Sequence, residues 1–166
     1  MSKHIATTDQ NRAALYQVLP LDTPFGITIS PCNICDFRCI YCGQGDEQRT
    51  ASMLTLEQFR VLADQLAAFP QAIKQVSFVA NGETILTPEL PDMIALHKQR
   101  GLANQVKVIT NANRLTHTYA DRLIDAGLDN LKVSLQGITS EKYQKICKTA
   151  VNFDRLKEQL FYFYEH

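Results

Sequence analysis

Four of the five cysteines in this 166-residue chain lie in one short stretch, with the spacing Cys32-x2-Cys35-x3-Cys39-x2-Cys42. This spacing is neither the pair of C-x2-C motifs of a zinc ribbon nor the x2, x2, x3 run of a bacterial ferredoxin. Within it, Cys35, Cys39 and Cys42 form a C-x3-C-x2-C set, and Cys32 stands outside that set. Three thiolates on one loop can hold three irons of a [4Fe-4S] cluster, and the fourth iron then stays open to a co-substrate.

An aromatic residue, Tyr41, precedes the last of these cysteines. With it, the stretch resembles the signature C-x3-C-x-φ-C of the radical S-adenosylmethionine (radical SAM) superfamily, in which φ is aromatic. The resemblance implies that Cys35, Cys39 and Cys42 hold a [4Fe-4S] cluster whose free iron is chelated by S-adenosylmethionine. In that family the reduced cluster breaks the sulfur to 5′-carbon bond, and a 5′-deoxyadenosyl radical abstracts hydrogen from a substrate. The resemblance also implies an electron donor of low potential, such as a flavodoxin or a ferredoxin.

The elements that must position these cysteines alternate regularly along the chain. Stretches rich in β-formers occupy 25–30, 75–80, 105–110 and 130–135, and a helical pattern follows each. Four β-then-α units in series predict an α/β fold with parallel strands and right-handed helical crossovers, in an open sheet or in part of a barrel. The resemblance implies the barrel, so we expect parallel βα repeats that form the first four units of a partial TIM-like (βα)6 barrel.

Capping signals give the expected helix boundaries. Thr55-x-x-Gln58 is a capping box at the start of a helix that ends before Pro70. Other threonines mark further starts, because their side chains accept hydrogen bonds from the free N–H groups of a first turn. The remaining expected helices are one at 9–19, one from Thr87-Pro88 to Gly101, one over 119–126 capped by Thr118, and two near 140–148 and from Asn152 onward.

Polar or cysteine-rich residues follow each predicted strand. Ligands of parallel α/β folds bind at the carboxyl ends of the strands, so we expect these residues to surround one site. Asn81-Gly82-Glu83 follows the second strand and is similar to the radical SAM "GGE" motif, with Asn81 in place of the first glycine. The resemblance implies that the exposed strand end and the Glu83 carboxylate receive the ammonium group of S-adenosylmethionine. Without the resemblance, Asn-Gly before Glu is a turn signal.

Two further strand ends and Tyr41 complete the predicted site. Thr110 and Asn111 end the third strand and either cap it or contact the cofactor. Ser134 and Gln136 end the fourth and resemble the family segment that supplies a hydroxyl and a polar residue to the cofactor's carboxylate or ribose. Gln136 replaces the Asp of many relatives and can still bond a ribose hydroxyl, although a simple turn is the other interpretation. Tyr41 either covers the cluster and adenine, as its place in the signature favours, or is an ordinary surface tyrosine.

Two cysteines lie outside the predicted ligand set. Relatives usually have a small residue at the position of Cys32, so we expect that Cys32 does not bind iron. Cys147 is most simply a buried or free thiol. The competing interpretation is a non-catalytic module, in which all four clustered cysteines bind zinc or a fully ligated iron–sulfur cluster in a structural or electron-transfer role. That module would leave the βα alternation and the convergent strand ends unexplained.

The composition, 45% apolar and 20% charged, is that of a globular domain. Its 17 basic and 17 acidic residues cancel without a long run of either sign, which gives no evidence for a nucleic-acid partner. The N-terminus lacks an apolar core of signal-peptide length, and no run approaches a membrane span. We therefore expect a cytoplasmic protein without membrane association, in a reducing compartment that suits thiols as metal ligands.

The expected organisation is an N-terminal helical prelude over residues 1–24 and a radical SAM core over 25–166. Family barrels have six βα units, and only four are counted here. The chain also ends inside an apolar helical run at 160–166 without a Gly or Asn cap. The expectation is a core truncated after its fourth unit, and therefore an incomplete catalytic unit that acts on an unknown substrate.

Overall fold

The computed structural model describes residues 14–43 and 50–166, in which strands and helices alternate. The strands are β1 (Gly26–Ile29), β2 (Ile73–Val79), β3 (Ala103–Thr110) and β4 (Asn130–Val133). The helices are α1 (Leu15–Val18), α2 (Leu56–Leu66), α3 (Leu90–Gln99), α4 (His117–Asp125), α5 (Ser140–Cys147) and α6 (Phe153–Glu165), with a 3-10 turn at Thr84–Leu86. None of the helices in these two ranges is long and apolar enough to cross a membrane.

The four strands form one parallel sheet in the order β1-β2-β3-β4. Each strand pairs with the next in sequence, for example through Ile29 with Phe78 and through Phe78 with Val108. Helices α2, α3 and α4 join consecutive strands, so all the carboxyl ends lie at one edge of the sheet. The predicted series of four parallel βα units is confirmed.

The core lies between the sheet and the helices that cross over it. Phe59 of α2 and Phe78 of β2 are fully buried, with ring centroids 5.8 Å apart. Burial of a large apolar side chain contributes about 1.5–3 kcal/mol. The same core includes Met93 and Ile94 of α3 and Val106 and Val108 of β3. This packing fixes the strands against the helices and therefore fixes the positions of their carboxyl ends.

Side-chain caps begin several helices, and the sequence predicted the cap at Thr55. The capping box of α2 is complete, because Gln58 N donates to Thr55 Oγ1 at 3.2 Å and Thr55 N donates to Gln58 Oε1 at 3.0 Å. Thr139 and Asn152 cap α5 and α6 by accepting hydrogen bonds from the backbone of Lys142 and Arg155. These caps satisfy N–H groups that have no partner inside their helices.

Several predicted boundaries are wrong. Thr116 caps α4 instead of Thr118, because Thr116 has extended backbone and accepts from Tyr119 N at 3.2 Å. The helix expected from Thr87-Pro88 begins at Leu90, because a 3-10 turn occupies 84–86. The fourth strand ends at Val133. Of the helix predicted at 9–19, only Leu15–Val18 is helical, and 9–13 lie outside the described residues.

Candidate functional site

The cysteine loop, residues 30–43, follows β1 at the carboxyl edge of the sheet. Cys35 and Cys42 are exposed, and Cys39 is partly buried. Phe37 is buried, and its ring packs edge-on against a tyrosine of α5. The Phe37 N–H donates to Cys35 Sγ at 3.4 Å. The loop is therefore anchored by its apolar residue while its three thiols stay at or near the surface.

The end of α5 supports the cysteine loop from behind. Arg38 N donates to Cys147 O at 2.9 Å, and Ile40 N donates to Ile146 O at 2.9 Å. The last carbonyls of a helix have no partner within it, and Lys148 ends α5 with left-handed backbone at φ 54°. Backbone N–H groups of the cysteine loop thus form hydrogen bonds with the free carbonyls at the end of α5. The sequence did not predict this contact.

Cys147 itself is a buried thiol behind the loop. Burial, and next the neighbouring Cys39 thiol, raise the pKa of Cys147 to about 12. It is therefore a neutral thiol at pH 7. The expectation of a buried or free thiol is consistent with this placement, but its position against the cysteine loop was not predicted.

Cys32 differs from the other three loop cysteines because it is buried, with 4% of its surface exposed. Its Sγ donates to Glu83 O at 3.1 Å, and desolvation raises the pKa of its thiol. Its backbone forms an antiparallel bridge with Met53. Asn33 also holds the returning segment, by donating to Thr50 O at 2.9 Å. The Cys32 thiol therefore lies in the interior of the fold, hydrogen-bonded to the backbone of Glu83 beyond the end of β2, unlike the other three loop thiols.

Gly82 brings the end of β2 against the cysteine loop. A Cβ at this position would lie 2.0 Å from Ile34 O, so no other residue fits the observed backbone. Glu83 N donates to the same Ile34 carbonyl. The preceding residue, Asn81, is exposed, and its backbone N–H donates to Ser30 Oγ at 2.9 Å. The glycine of the predicted motif is therefore required by close contact between two backbones.

Glu83 is buried, with 3% of its surface exposed, instead of lying open at the strand end. One carboxylate oxygen accepts from Ile85 N at 3.1 Å and from Thr110 Oγ1, and the other accepts from Asn111 N at 2.7 Å. Desolvation raises the pKa of the carboxyl, while these donors oppose the increase. A carboxylate has about four acceptor sites, so three donors leave room for one more. The structure thus brings Glu83, Thr110 and Asn111 together.

Asp36, between the first two cysteines of the set, is a site residue that the sequence reasoning missed. Its side chain is only 7% exposed. Asn111 Nδ2 donates to it at 2.9 Å, Asn113 Nδ2 at 2.7 Å and Arg114 Nε at 3.3 Å. A signal was present, because amide and guanidinium donors follow β3 in close succession and an acidic residue lies in the cysteine loop.

Tyr41 connects the cysteine loop to the end of β4. Tyr41 is 62% exposed, and its hydroxyl donates to Gln136 Oε1. Gln136 Nε2 in turn donates to Ser134 O at 3.2 Å, and Ser134 N donates to Thr110 O at 2.8 Å. The predicted residues of β3, β4 and the cysteine loop are therefore neighbours.

The thiols of Cys35, Cys39 and Cys42 match the donor set of a [4Fe-4S] cluster. Across 14–43 and 50–166, no group of three or more His, Cys, Asp or Glu side chains converges on one ion position. A [4Fe-4S] cluster binds each thiolate through a different iron, so its ligands do not converge on one point. Cys35, Cys39 and Cys42 are all free thiols, and the chemistry of this donor set fits such a cluster.

Known proteins share both the sequence pattern and the fold. Residues 29–166 match the family described as the radical SAM superfamily. GTP 3′,8-cyclase of Chlorobaculum tepidum is 28% identical over an alignment of 143 residues, and the alignment covers 83% of this chain and 42% of that protein. Streptococcus suis SuiB bound to S-adenosylmethionine aligns with a TM-score of 0.68 and 19% identity, over 87% of this chain and 32% of that one. BtrN in complex with AdoMet and 2-DOIA aligns with a TM-score of 0.64 and 19% identity, over 82% and 51% of the two chains.

The chain spans 42% of the length of the curated relative and about half or less of the two solved structures. The structural likeness confirms the α/β fold with the partial TIM-like barrel. Members of the matched family use a [4Fe-4S] cluster and S-adenosylmethionine, and both solved structures contain the latter. The match covers most of the residues and includes the C-x3-C-x-φ-C loop at the carboxyl edge of the sheet, so this chain belongs to the radical SAM superfamily.

Proposed function

We propose that this chain is the part of a radical SAM enzyme that holds the [4Fe-4S] cluster and positions S-adenosylmethionine. The observation that carries the proposal is the cysteine loop at the carboxyl edge of a parallel sheet, with the thiols of Cys35, Cys39 and Cys42 outside the core. When bound, the two cofactors supply a 5′-deoxyadenosyl radical that abstracts hydrogen from a substrate. The protein's own share is to bind, orient and shield them.

Glu83 is the proposed contact for the cofactor ammonium. A charge-assisted hydrogen bond suits this group, and the three donors from Ile85, Thr110 and Asn111 hold the carboxylate in one orientation. Because the carboxylate is buried, the bond would form in a site of low dielectric, where it is stronger than in water. Gly82 assists by allowing the strand end to approach the cysteine loop.

The remaining predicted residues are proposed to line the same site. Thr110 and Asn111 position Glu83, and Asn81 adds an exposed polar side chain at the end of β2. Ser134 and Gln136 are proposed to contact the cofactor's carboxylate or ribose. Tyr41 is proposed to cover the cluster and adenine, and its bond to Gln136 supports this assignment.

The proposed enzyme also requires an electron donor and a reducing compartment. A low-potential donor such as a flavodoxin or a ferredoxin would reduce the cluster, and a cytoplasmic location would keep the thiols reduced. The division into a prelude over 1–24 and a core over 25–166 stays a prediction. The family assignment favours this enzyme over the non-catalytic cysteine module.

Anaerobic reconstitution tests the ligand set. The wild-type protein should hold about four irons per chain, and Cys35→Ala, Cys39→Ala and Cys42→Ala should each lose them. Cys32→Ala and Cys147→Ala are the matched controls, since both thiols are buried, and each should keep the cluster. Iron loss from Cys32→Ala equal to that from Cys35→Ala would contradict the three-ligand assignment.

Addition of S-adenosylmethionine tests the open iron. We expect it to change the electron paramagnetic resonance spectrum of the reduced cluster, because the cofactor would bind directly to the fourth iron. A cluster or zinc site with four cysteine ligands would give no such change. An unchanged spectrum at saturating S-adenosylmethionine would therefore favour the non-catalytic module.

A further inference from the structure

The carboxylate of Asp36 joins the cysteine loop to the loop after β3. One of its oxygens accepts from Asn111 Nδ2, and the other accepts from Asn113 Nδ2 and Arg114 Nε. Its side chain is 7% exposed, whereas that of Arg114 is 64% exposed. The three donors hold both carboxylate oxygens of Asp36 in a fixed geometry. Asp36 thus places a carboxylate, in an ion pair with Arg114, one residue from Cys35.

Asn111 extends this contact to the proposed ammonium site. Its side chain donates to Asp36, and its backbone N–H donates to Glu83 at 2.7 Å. Asn111 Oδ1 also accepts from Asn113 N at 2.8 Å, which ties together the two amides that bind Asp36. Both acids are therefore attached to one short segment, and a shift of Asp36 would reach Glu83 through a single residue.

The backbone of Asp36 is held from the opposite side. The Thr149 hydroxyl lies 3.1 Å from Asp36 O and 3.1 Å from Cys147 O, and the two carbonyls share its one hydrogen. Asp36 is thus fixed by its side chain to the β3–α4 loop and by its carbonyl to the α5–α6 loop. Cys35 precedes this doubly fixed residue, so its backbone has little freedom to move.

We propose that Asp36 is a positioning residue that holds the Cys35 end of the loop against the Glu83 site and keeps the bound cluster difficult to reduce. This inference rests on the proposed function. Groups around a metal site orient its ligands, and net charge and hydrogen bonds nearby set the reduction potential. A buried carboxylate disfavours an added electron, and its three donors offset part of that effect.

The potential of the reconstituted holoprotein gives the decisive readout. Asp36→Asn removes the charge and should raise the ratio of reduced to oxidised cluster at a fixed potential by about tenfold, or 59 mV for one electron. Arg114→Gln keeps a donor but removes the compensating charge, so it should lower that ratio by about twofold, because Arg114 is largely exposed. Asp92→Asn, in the exposed ion pair with Arg122, is the control and should leave the ratio unchanged.

The two variants should change the ratio of reduced to oxidised cluster in opposite directions. A general loss of structure would instead change the ratio in the same direction in both variants. Asp36→Asn should also weaken S-adenosylmethionine binding several-fold, measured by titration of the cluster spectrum. If Asp36→Asn holds no iron, the reduction potential of the cluster in Arg114→Gln becomes the test. A potential in Arg114→Gln equal to or above that of wild type then overturns the inference. Wild-type potential and affinity in an iron-loaded Asp36→Asn protein overturn it as well. A wild-type protein without a cluster would instead overturn the proposed function and this inference with it.

Discussion

The strand-end edge and the helix layer both bury ionisable groups, but they do so in opposite ways. At the strand ends, Glu83 and Asp36 each accept three hydrogen bonds. In the helix layer, His97 of α3 is fully buried against Phe59, with ring centroids 6.5 Å apart. In the described part of the chain, neither ring nitrogen of His97 has a hydrogen-bond partner. One region is thus built from polar bonds and the other from packing.

The difference shows what each region tolerates. The donors around Glu83 and Asp36 satisfy their buried oxygens and hold these residues as oriented acceptors. His97 has no such donors or acceptors, and burial lowers the pKa of its imidazole to about 4. It therefore packs as a neutral ring. Changes at the strand ends should affect ligand binding, and changes in the helix layer should affect stability alone.

The largest effect is expected at Gly82. In Gly82→Ala the new Cβ would lie 2.0 Å from Ile34 O, so the strand end and the cysteine loop must separate. We expect a loss of at least about 3 kcal/mol in the free energy of unfolding, together with poor cluster retention. Chemical denaturation and iron analysis would measure both. Gly26→Ala is the matched control, because its Cβ would meet Gln75 O at an ordinary 3.5 Å. Equal stability of the two variants would contradict the close contact.

The next effect is expected at Glu83. Glu83→Gln should weaken S-adenosylmethionine binding by about 1.5–3 kcal/mol, the range for hydrogen bonds to charged groups, while the cluster remains. Titration of the reconstituted protein would measure the affinity. Glu89→Gln is the control from the helix layer, where the Glu89 carboxylate accepts from Leu56 N at 3.0 Å. If the two variants bind the cofactor equally well, Glu83 does not contact it.

His97 should make the protein sensitive to acid. Its pKa is about 4 in the folded protein and near 6.5 when unfolded, so the unfolded state gains the proton first as the pH falls. The neutral His97 imidazole therefore contributes to the free energy of unfolding above pH 6.5, and this contribution is lost as the pH falls toward 4. The expected loss between pH 7 and pH 5 is about 2 kcal/mol. The raised pKa of Glu83 has the opposite effect, because the folded state gains that proton first as the pH falls. A variant without the imidazole is therefore needed to isolate the contribution of His97.

His97→Leu provides that comparison in urea unfolding at pH 7 and pH 5. The variant should lose less stability than wild type over this interval, because the side chain that titrates in the unfolded state is gone. It should also keep wild-type affinity for S-adenosylmethionine, since the helix layer lies outside the proposed site. If the free energy of unfolding depends on pH identically in the two proteins, His97 does not cause the loss of stability in acid.

The smallest effect is expected at the start of α2. Thr55→Ala removes the acceptor for Gln58 N and should cost about 1 kcal/mol in the free energy of unfolding. Thr118→Ala is the control, because Thr116 caps α4 and Thr118 lies within the helix. Denaturation followed by circular dichroism would compare them. If Thr118→Ala loses more stability than Thr55→Ala, then Thr118 caps α4 and the assignment of that cap to Thr116 is wrong.

The parts of the site that depend on local pattern were predicted from the sequence. The strand-then-helix alternation placed the ends of β1, β2 and β3 at one edge, and the spacing of the cysteines separated Cys32 from the other three. In the structure Cys32 has a different environment from the other three, since its thiol donates to the backbone of Glu83. The ligand set itself stays a prediction.

The parts that depend on distant contacts were not predicted. Asp36 and Asn113 are 77 positions apart, and no periodic pattern relates them. The support of the loop by the carbonyls of Ile146 and Cys147 involves backbone groups, which every residue has. The error at Thr118 has a similar origin, because either of two nearby threonines can cap a helix and the path of the preceding chain decides between them.

The bond between Thr149 and Asp36 spans 113 positions and has a consequence for biosynthesis. Ribosomes add about 5–20 residues per second, so the cysteine loop exists for about 6–23 s before the segment that fixes it has been made. During that interval the nascent thiols lie on a loop without its final support, open to oxidation or to capture by the wrong metal. Delivery of iron and sulfide should therefore follow translation of the α5–α6 junction, and a pulse of oxidant during synthesis should damage this protein more than the same pulse given afterwards.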